Sequence, residues 1–285
     1  ELAELPAVTT DGTRIELHAN IEFGAEAGAA FRYGADGIGL FRTEFLWLTS
    51  DHEPTEDEQY EQYKLALDAA QGRPVTLRTF DLGADKYTQE RAMTPERNPF
   101  LGLRSIRYCF QNPQMFRRHL RAILRASAHG PMKIMFPLIS NTFELRRAKM
   151  MLHDVMDDLE DEGVPFDRET PVGMMVEVPA AALSASSFAR EVDFFSIGTN
   201  DLVQYTLAVD RTNERVADLY TAGHPAVIRL IKEVIRAGKR RELPVSSCGE
   251  AAGQIEMSLL LIGLGLRTLS VTPGRIPYRK RAIWS

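Results

Sequence analysis

The chain has 285 residues, of which 44% are hydrophobic, and a formal net charge of −5. This length suits one barrel of alternating strands and helices, which takes about 250 residues, and the acidic balance argues against a general nucleic-acid-binding role. No apolar run approaches the ~20 residues that a membrane helix needs, and the first residues lack the pattern of a secretion signal.

Predicted strands and helices alternate along the whole chain. Strands are predicted over residues 15–20, 37–42, 74–80, 133–138, 172–177, 194–198, 245–249 and 268–272. Helices are predicted over residues 25–33, 113–127, 141–160, 180–190, 225–241 and 254–264, and one begins near Thr55 in a Thr-Glu-Asp-Glu cap.

This alternation predicts an α/β fold, a closed (β/α)8 TIM barrel that forms a single domain over residues 1–285. A doubly wound open sheet is the alternative. The chain ends thirteen residues after Thr272, so the helix after the last strand is expected to be short or cut.

Residues 194–211 form the most informative stretch. An apolar run over 194–197 is typical of a buried parallel strand, and it stops at Gly198. Asn200 and Asp201 follow at once, and Arg211 comes ten residues after Asp201. Asp201 is an oxygen ligand of the kind that Mg²⁺ prefers, and the Arg211 guanidinium suits phosphate or carboxylate. The alternative is a strand, a glycine turn and an Asn/Asp helix cap, which gives Arg211 no role.

Other polar side chains follow the ends of the predicted strands. In a barrel these ends lie on one face, where active sites are found. The candidates are Asn20, Arg42, Arg78, Asp81, Glu177, Asn200, Asp201 and Cys248, and the connection after the third strand adds Lys86, Arg104 and Arg107. Charged residues in apolar strands need partners, so the alternative is a set of structural ion pairs, such as Arg42 with Glu44.

The composition of this face indicates a class of reaction. Several arginines favour a multiply charged anion, while Glu177 and Asp201 come from neighbouring strands and suit one Mg²⁺. Such a cation can polarise a carboxylate or stabilise an enolate. Phosphoryl transfer needs this combination of positioning and charge neutralisation. Cys248 is a candidate proton donor or nucleophile, and a small core residue is the alternative.

The remaining cysteine and the histidines suggest no separate site. The two cysteines lie far apart without metal-ligand spacing, which fits a reduced, cytoplasmic protein. Cys109 lies on a helix-like stretch and is expected to be buried and inert. His18 is expected to be a core residue, and solvent exposure is expected for His52, His119, His129, His153 and His224.

Six motifs, in order, resemble one known family. They lie at 37–45, which includes Arg-Thr-Glu-Phe, and at 78–86, 98–107, 176–181, 194–202 and 248–253, the last being Cys-Gly-Glu-Ala-Ala-Gly. Together they resemble the C-terminal half of Enzyme I of the bacterial phosphotransferase system, the phosphoenolpyruvate–protein phosphotransferases. The resemblance implies a (β/α)8 barrel that binds phosphoenolpyruvate and Mg²⁺.

The resemblance also implies a role for each matching residue. Glu177 and Asp201 would ligate Mg²⁺, and Cys248 would protonate C3 of the enolpyruvate to give pyruvate. The phosphoryl group and carboxylate would be held by Arg42, Arg78, Arg211 and Asn200, with Lys86 and Arg104 near the substrate.

The same resemblance implies partners. In the family the phosphoryl acceptor is a histidine of an N-terminal domain, which passes the phosphate to the carrier protein HPr. No histidine of this chain matches that motif, so the acceptor domain is expected to be absent from it. The family dimerises through this half, so a cytoplasmic homodimer is expected, and the pathway served is either sugar uptake or nitrogen regulation.

Three alternatives share this pattern. A pyruvate phosphate dikinase or phosphoenolpyruvate synthase has a similar barrel and adds a nucleotide-binding domain. A lyase or aldolase of the pyruvate-enolate class would cleave a carbon–carbon bond without phosphoryl transfer. A sensing or dimerisation module would bind phosphoenolpyruvate without turnover.

Overall fold

A computed structural model describes residues 2–83 and 96–284 of the chain. Eight parallel strands form a closed barrel, in which each strand pairs with the next and the last pairs with the first. The strands are β1 Arg14–Ile21, β2 Gly37–Arg42, β3 Val75–Arg78, β4 Met132–Phe136, β5 Val172–Val176, β6 Phe195–Gly198, β7 Val245–Cys248 and β8 Thr268–Val271. The predicted (β/α)8 barrel is therefore confirmed.

Helices follow every strand. They are α1 Glu26–Arg32, α2 Glu44–Thr49, α3 Glu56–Ala70, α4 Ile106–Gln111, α5 Pro113–Ser127, α6 Thr142–Asp161, α7 Pro179–Leu183, α8 Ala185–Phe188, α9 Thr199–Leu207, α10 Pro225–Arg240, α11 Ile255–Leu264 and α12 Ile276–Trp284. A two-residue strand, Ala7–Val8, pairs antiparallel with the beginning of β1. None of the helices in the described part of the chain has the length and apolar character that a bilayer crossing requires.

Strand alternation divides the core into two parts. Ile15, Leu17 and Ala19 of β1 are fully buried in the main core, between the barrel and its helices. A second, smaller cluster contains Leu40, Met135, Met175, Phe194 and Cys248. Neighbouring strand residues point to opposite faces, so this second cluster fills the inside of the barrel.

The helix starts follow from local chemistry. Thr55 accepts a hydrogen bond from the backbone N–H of Glu58, whose carboxylate accepts one from the N–H of Thr55. This capping box begins α3 where the sequence predicts it. Asn141 caps α6 in the same way, by accepting from the N–H of Glu144 at 3.0 Å.

Four helical features differ from the sequence prediction. The helices α2, α4 and α9 lie outside the predicted helix ranges, and the helix predicted over 180–190 is broken at Ser184 into α7 and α8. All of these segments are short, with four to nine residues. Isolated helices of that length are marginal, so their formation depends on packing against the barrel more than on local sequence.

Candidate active site

A cavity of about 580 Å³ opens at the face of the barrel where the strands end. Its walls come from the last residues of β2, β3, β6 and β7 and from the segments that follow β5 and β6. The predicted site residues that line it are Arg42, Arg78, Arg104, Glu177, Asn200, Asp201, Arg211 and Cys248. Lys86 lies outside the described residues.

The two arginines at the ends of β2 and β3 lie in different environments. The Arg78 side chain is only 9% exposed and forms ion pairs with Glu44 and with Asp81, the latter at 3.3 Å. Arg42 is 30% exposed and pairs with Glu22 at 3.2 Å. The pairing of Arg42 with Glu44, considered as the structural alternative, is therefore wrong, because Glu44 is held by Arg78.

A buried chain of charges crosses the cavity wall. The Arg104 guanidinium donates to both oxygens of Asp81, at 3.0 and 3.1 Å, and to both oxygens of Asp201, at 3.0 and 3.3 Å. The Tyr205 hydroxyl oxygen also accepts a hydrogen bond from Arg104 Nη1, at 2.9 Å. Burial opposes the charge on Asp81, but Arg104 and Arg78 outweigh it and hold the pKa of that carboxyl below its usual range.

Glu177 is a buried carboxyl in an acidic neighbourhood. It is 2% exposed, and its Oε1 accepts a 2.7 Å hydrogen bond from the backbone N–H of Leu138. Burial, followed by the charges of Asp201 and Asp81, raises the pKa of Glu177 to about 8, against the pull of Arg78 and Arg104. A buried carboxyl whose charged form is opposed by burial and by neighbouring carboxylates suits a divalent cation, which would stabilise that charged form.

Among the described residues, the metal candidates are the pair Glu177 and Asp201. Within residues 2–83 and 96–284, no cluster of three or more His, Cys, Asp or Glu side chains is arranged to hold a metal ion. A cation held by Glu177 and Asp201 would thus take its remaining ligands from water or substrate oxygens, as Mg²⁺ does in many phosphate sites.

Asn200 and Asp201 do not cap a helix. They lie in the first turn of α9, and the cap position is Gly198, which has no side chain to bond the helix. The Asn200 side-chain oxygen instead accepts from the backbone N–H of Glu250 at 2.8 Å, across the loop after β7. The helix-cap alternative is therefore wrong for both side chains.

Cys248 is the last residue of β7 and is 2% exposed. The Ser196 hydroxyl donates to its sulfur at 3.2 Å. Burial raises the pKa of the Cys248 thiol above its ordinary value, although the Ser196 hydrogen bond and the Arg78 charge act in the opposite direction. The group is consequently a protonated thiol at neutral pH, facing the cavity.

Some candidates lie further out. Arg211 is solvent-exposed at the cavity mouth, and its backbone N–H donates to Gln204 at 3.0 Å. Arg107 does not line the cavity and lies 3.5 Å from Glu144. Glu44 also lines the cavity, although the sequence pattern indicated it only as a possible ion-pair partner of Arg42. Its place in the Arg-Thr-Glu-Phe motif was the available signal.

The expectation for the other histidines is partly wrong. His119 is fully buried, its ring stacks on Phe80 at 3.5 Å, and its Nδ1 lies 2.8 Å from Gln59 Oε1. Its position on the inner face of α5 explains this, because α5 packs against α3. Burial lowers the pKa of His119 to about 3. Cys109 is fully buried, as predicted.

Fold and cavity together define a class of protein: a (β/α)8 barrel with a cavity lined by arginines and carboxylates at the carboxyl ends of its strands. The family comparison agrees with this description. The model of the PEP-utilising enzyme family, PEP-binding domain, matches residues 1–285, and the chain belongs to that family. Enzymes of this family in general depend on a metal ion.

Curated relatives are named phosphoenolpyruvate-protein phosphotransferase. The protein of Geobacillus stearothermophilus is 48% identical over 99% of this chain and 50% of its own length. That of Bacillus sp. (strain S) is 49% identical over 95% and 47%, and that of Cupriavidus necator is 46% identical over 99% and 49%. The chain thus spans about half the length of the relatives it matches.

Solved structures share the fold at much lower identity. A citrate lyase from Burkholderia xenovorans superposes with a TM-score of 0.58 and 17% identity, covering 98% of this chain and 80% of that one. An HpcH/HpaI aldolase from Desulfitobacterium hafniense gives 0.53 and 13%, covering 90% and 86%. At such identities these likenesses concern the barrel alone.

Proposed function

We propose that this barrel binds phosphoenolpyruvate and Mg²⁺ and donates the phosphoryl group to a histidine of a separate N-terminal domain, with release of pyruvate. The observation that supports this most is the convergence, in one 580 Å³ cavity, of arginines, the carboxyl groups of Glu177 and Asp201, and the thiol of Cys248. The proposed reaction is the first step of the phosphotransferase system, in the class of phosphoenolpyruvate–protein phosphotransferases.

The arginines hold the anionic substrate. Arg42 and Arg78 lie on adjacent strands, and Arg211 lies at the mouth of the cavity. The phosphoryl group and the carboxylate can therefore accept hydrogen bonds from several sides. Asn200 assists, and the family resemblance assigns supporting roles at the substrate to Arg104 and Lys86. Because the Arg78 guanidinium is already fixed by Glu44 and Asp81, little side-chain entropy remains to be lost when it binds substrate.

Glu177 and Asp201 hold the Mg²⁺ ion. The bound cation supplies charge neutralisation at the phosphoryl and enolate oxygens. Asp201 reaches this position on the first turn of α9, and Arg104 fixes its carboxylate with two hydrogen bonds. The raised pKa of Glu177 supports the assignment, since a cation would restore its charged form.

The proposed reaction uses the Cys248 thiol of this chain and an imidazole acceptor on the separate domain. The bridging P–O bond of phosphoenolpyruvate breaks, and the phosphoryl group forms a bond to an imidazole nitrogen of the acceptor. The enolate left behind takes a proton at C3 from the Cys248 thiol and becomes pyruvate. The resulting thiolate recovers a proton from solvent.

The acceptor comes from outside the described site. No histidine is present among the described residues that line the cavity. The relatives are about twice as long as this chain, which leaves room in them for the N-terminal phosphohistidine domain and, through it, transfer to HPr. We place the protein in the cytoplasm and expect it to act as a homodimer.

Reconstitution tests the proposal. This chain is mixed with an Enzyme I N-terminal domain, HPr, Mg²⁺ and phosphoenolpyruvate, and phosphohistidine and pyruvate are measured. We expect both products, and neither with Glu177→Gln. A requirement for a nucleotide would favour a dikinase-type barrel, and carbon–carbon cleavage without phosphoryl transfer would favour a lyase. Binding without turnover would identify a sensing module.

A further inference from the structure

The sulfur of Cys248 has a specific partner inside the barrel. Ser196 on β6 is 1% exposed, and its Oγ lies 3.2 Å from Cys248 Sγ. The strands are neighbours, and Gly198 of β6 pairs with Cys248 of β7, so Ser196 sits one layer below the sulfur. This places an O–H donor on the side of the thiol that faces away from the cavity.

Other hydroxyls in the same strands bond oxygen instead. The Oγ atoms of Ser246 and Ser247 donate to the carbonyls of Phe195 and Ile197, both at 3.4 Å. Ser270 on β8 donates to the Asn20 side chain at 2.6 Å. Ser196 therefore differs from these serines in donating to a sulfur atom, and a need to bond a backbone carbonyl does not explain its position.

The direction of this hydrogen bond matters for a proton donor. A thiol has one proton and weak acceptor lone pairs. When Ser196 donates to a lone pair, the S–H is left free to point into the cavity. After the proton leaves, the same O–H faces a thiolate, and a hydrogen bond to a charged acceptor is stronger than one to a neutral acceptor.

We propose that Ser196 is a positioning residue for the proposed proton transfer: its hydroxyl orients the Cys248 thiol toward the substrate and stabilises the thiolate that forms. This inference rests on the proposed role of Cys248 as the acid. The lowering effect of the Ser196 hydrogen bond on the thiol pKa is consistent with it.

The first test needs no substrate, metal or acceptor. Cys248 is alkylated with iodoacetamide at pH 8, where the rate follows the thiolate fraction, and peptide mass spectrometry separates it from Cys109. Two variants of matched shape are compared, Ser196→Thr, which keeps the hydroxyl, and Ser196→Val, which lacks it. We expect alkylation about tenfold slower in the Val variant, equivalent to one pKa unit. Equal rates in two folded variants would overturn the proposal.

A second test uses turnover. In the reconstituted reaction, Ser196→Val should lower kcat for pyruvate formation about tenfold, with KM for phosphoenolpyruvate unchanged and the pH–rate profile displaced upward. Ser246→Ala serves as a control that removes a hydroxyl near Cys248 without touching sulfur, and it should keep the wild-type profile. A matching loss in Ser246→Ala would show a packing effect and refute the positioning role. If the wild type gives no pyruvate, the proposed function fails, while the alkylation comparison still decides the role of Ser196.

Discussion

Arg42 and Arg78 should respond to truncation in different ways, although both are assigned to the substrate anion. Arg78 and its partners Glu44 and Asp81 have side chains that are only 7–9% exposed. Removing the arginine leaves the buried Glu44 carboxylate without its ion-pair partner and leaves Asp81 with Arg104 alone. Breaking a buried pair in this way costs about 3–5 kcal/mol, so Arg78→Ala should lose that much unfolding free energy.

Arg42→Ala should cost little stability. Its ion pair with Glu22 is 30% and 36% exposed on the two sides, and exposed pairs contribute about 0–1 kcal/mol. The Arg42→Ala substitution should instead weaken ligand binding. Losing charge-assisted hydrogen bonds to a phosphoryl group costs about 1.5–3 kcal/mol, which weakens phosphoenolpyruvate binding by roughly 10- to 150-fold.

Urea unfolding and calorimetric titration with phosphoenolpyruvate and Mg²⁺ measure the two quantities on the same samples. The expected pattern is a stable Arg42→Ala with weak binding and an unstable Arg78→Ala. Arg78→Lys, which keeps the charge but loses the planar fork, should fall between wild type and Arg78→Ala in stability. Wild-type affinity in a folded Arg42→Ala would refute the assignment of Arg42, and an unchanged stability of Arg78→Ala would refute the buried ion chain.

Three further outcomes follow from the structure. The raised pKa of Glu177, about 8 against an ordinary 4.5, means that the metal-free fold retains a proton which the unfolded chain releases. The contribution of Glu177 to the free energy of unfolding is therefore fully present below about pH 4.5 and is lost as pH rises to about 8. Glu177→Gln should raise the metal-free Tm more at pH 9 than at pH 6, and it should abolish any stabilisation by Mg²⁺. An equal gain in Tm at both pH values would contradict the pKa shift. Gly198→Ala would place a Cβ 2.8 Å from Glu177 Oε2, so calorimetry should show weaker Mg²⁺ binding. An unchanged Mg²⁺ affinity would argue against a metal site at this carboxylate. Thr55→Ala removes the capping box of α3 and should cost about 1 kcal/mol in urea unfolding, with phosphoenolpyruvate affinity intact; a loss of affinity would disprove a purely local effect.

Much of the barrel could be predicted because its signals are local. Apolar runs mark the strands, and caps such as Thr55 and Asn141 mark the helix starts. The positions of Arg42, Glu177 and Cys248 at strand ends are enough to place them on one face, because parallel strands in a barrel share their direction. The same barrel topology also predicts which strands lie next to each other.

Side-chain partners could not be predicted, because they depend on three-dimensional distances. Glu44 follows Arg42 closely in sequence, yet the start of α2 carries its carboxylate toward Arg78 on the next strand. His119 shares the apolar face of α5 with Phe116 and Ile123, but its hydrogen-bond partner Gln59 and its stacking partner Phe80 come from distant parts of the chain. The contact between Ser196 and Cys248 joins residues 52 positions apart.

In the proposed reaction, this cavity breaks the P–O bond of phosphoenolpyruvate and protonates the enolate that remains. The most direct measurement is the reconstituted reaction in D₂O, with phosphohistidine counted on the N-terminal domain and pyruvate examined for deuterium at C3. We expect one phosphohistidine for each pyruvate and one deuterium at C3. In Cys248→Ala, pyruvate should appear much more slowly from enolpyruvate, while phosphoenolpyruvate binding stays intact. Pyruvate formed at the wild-type rate in that variant, or pyruvate without phosphohistidine, would contradict the proposed reaction.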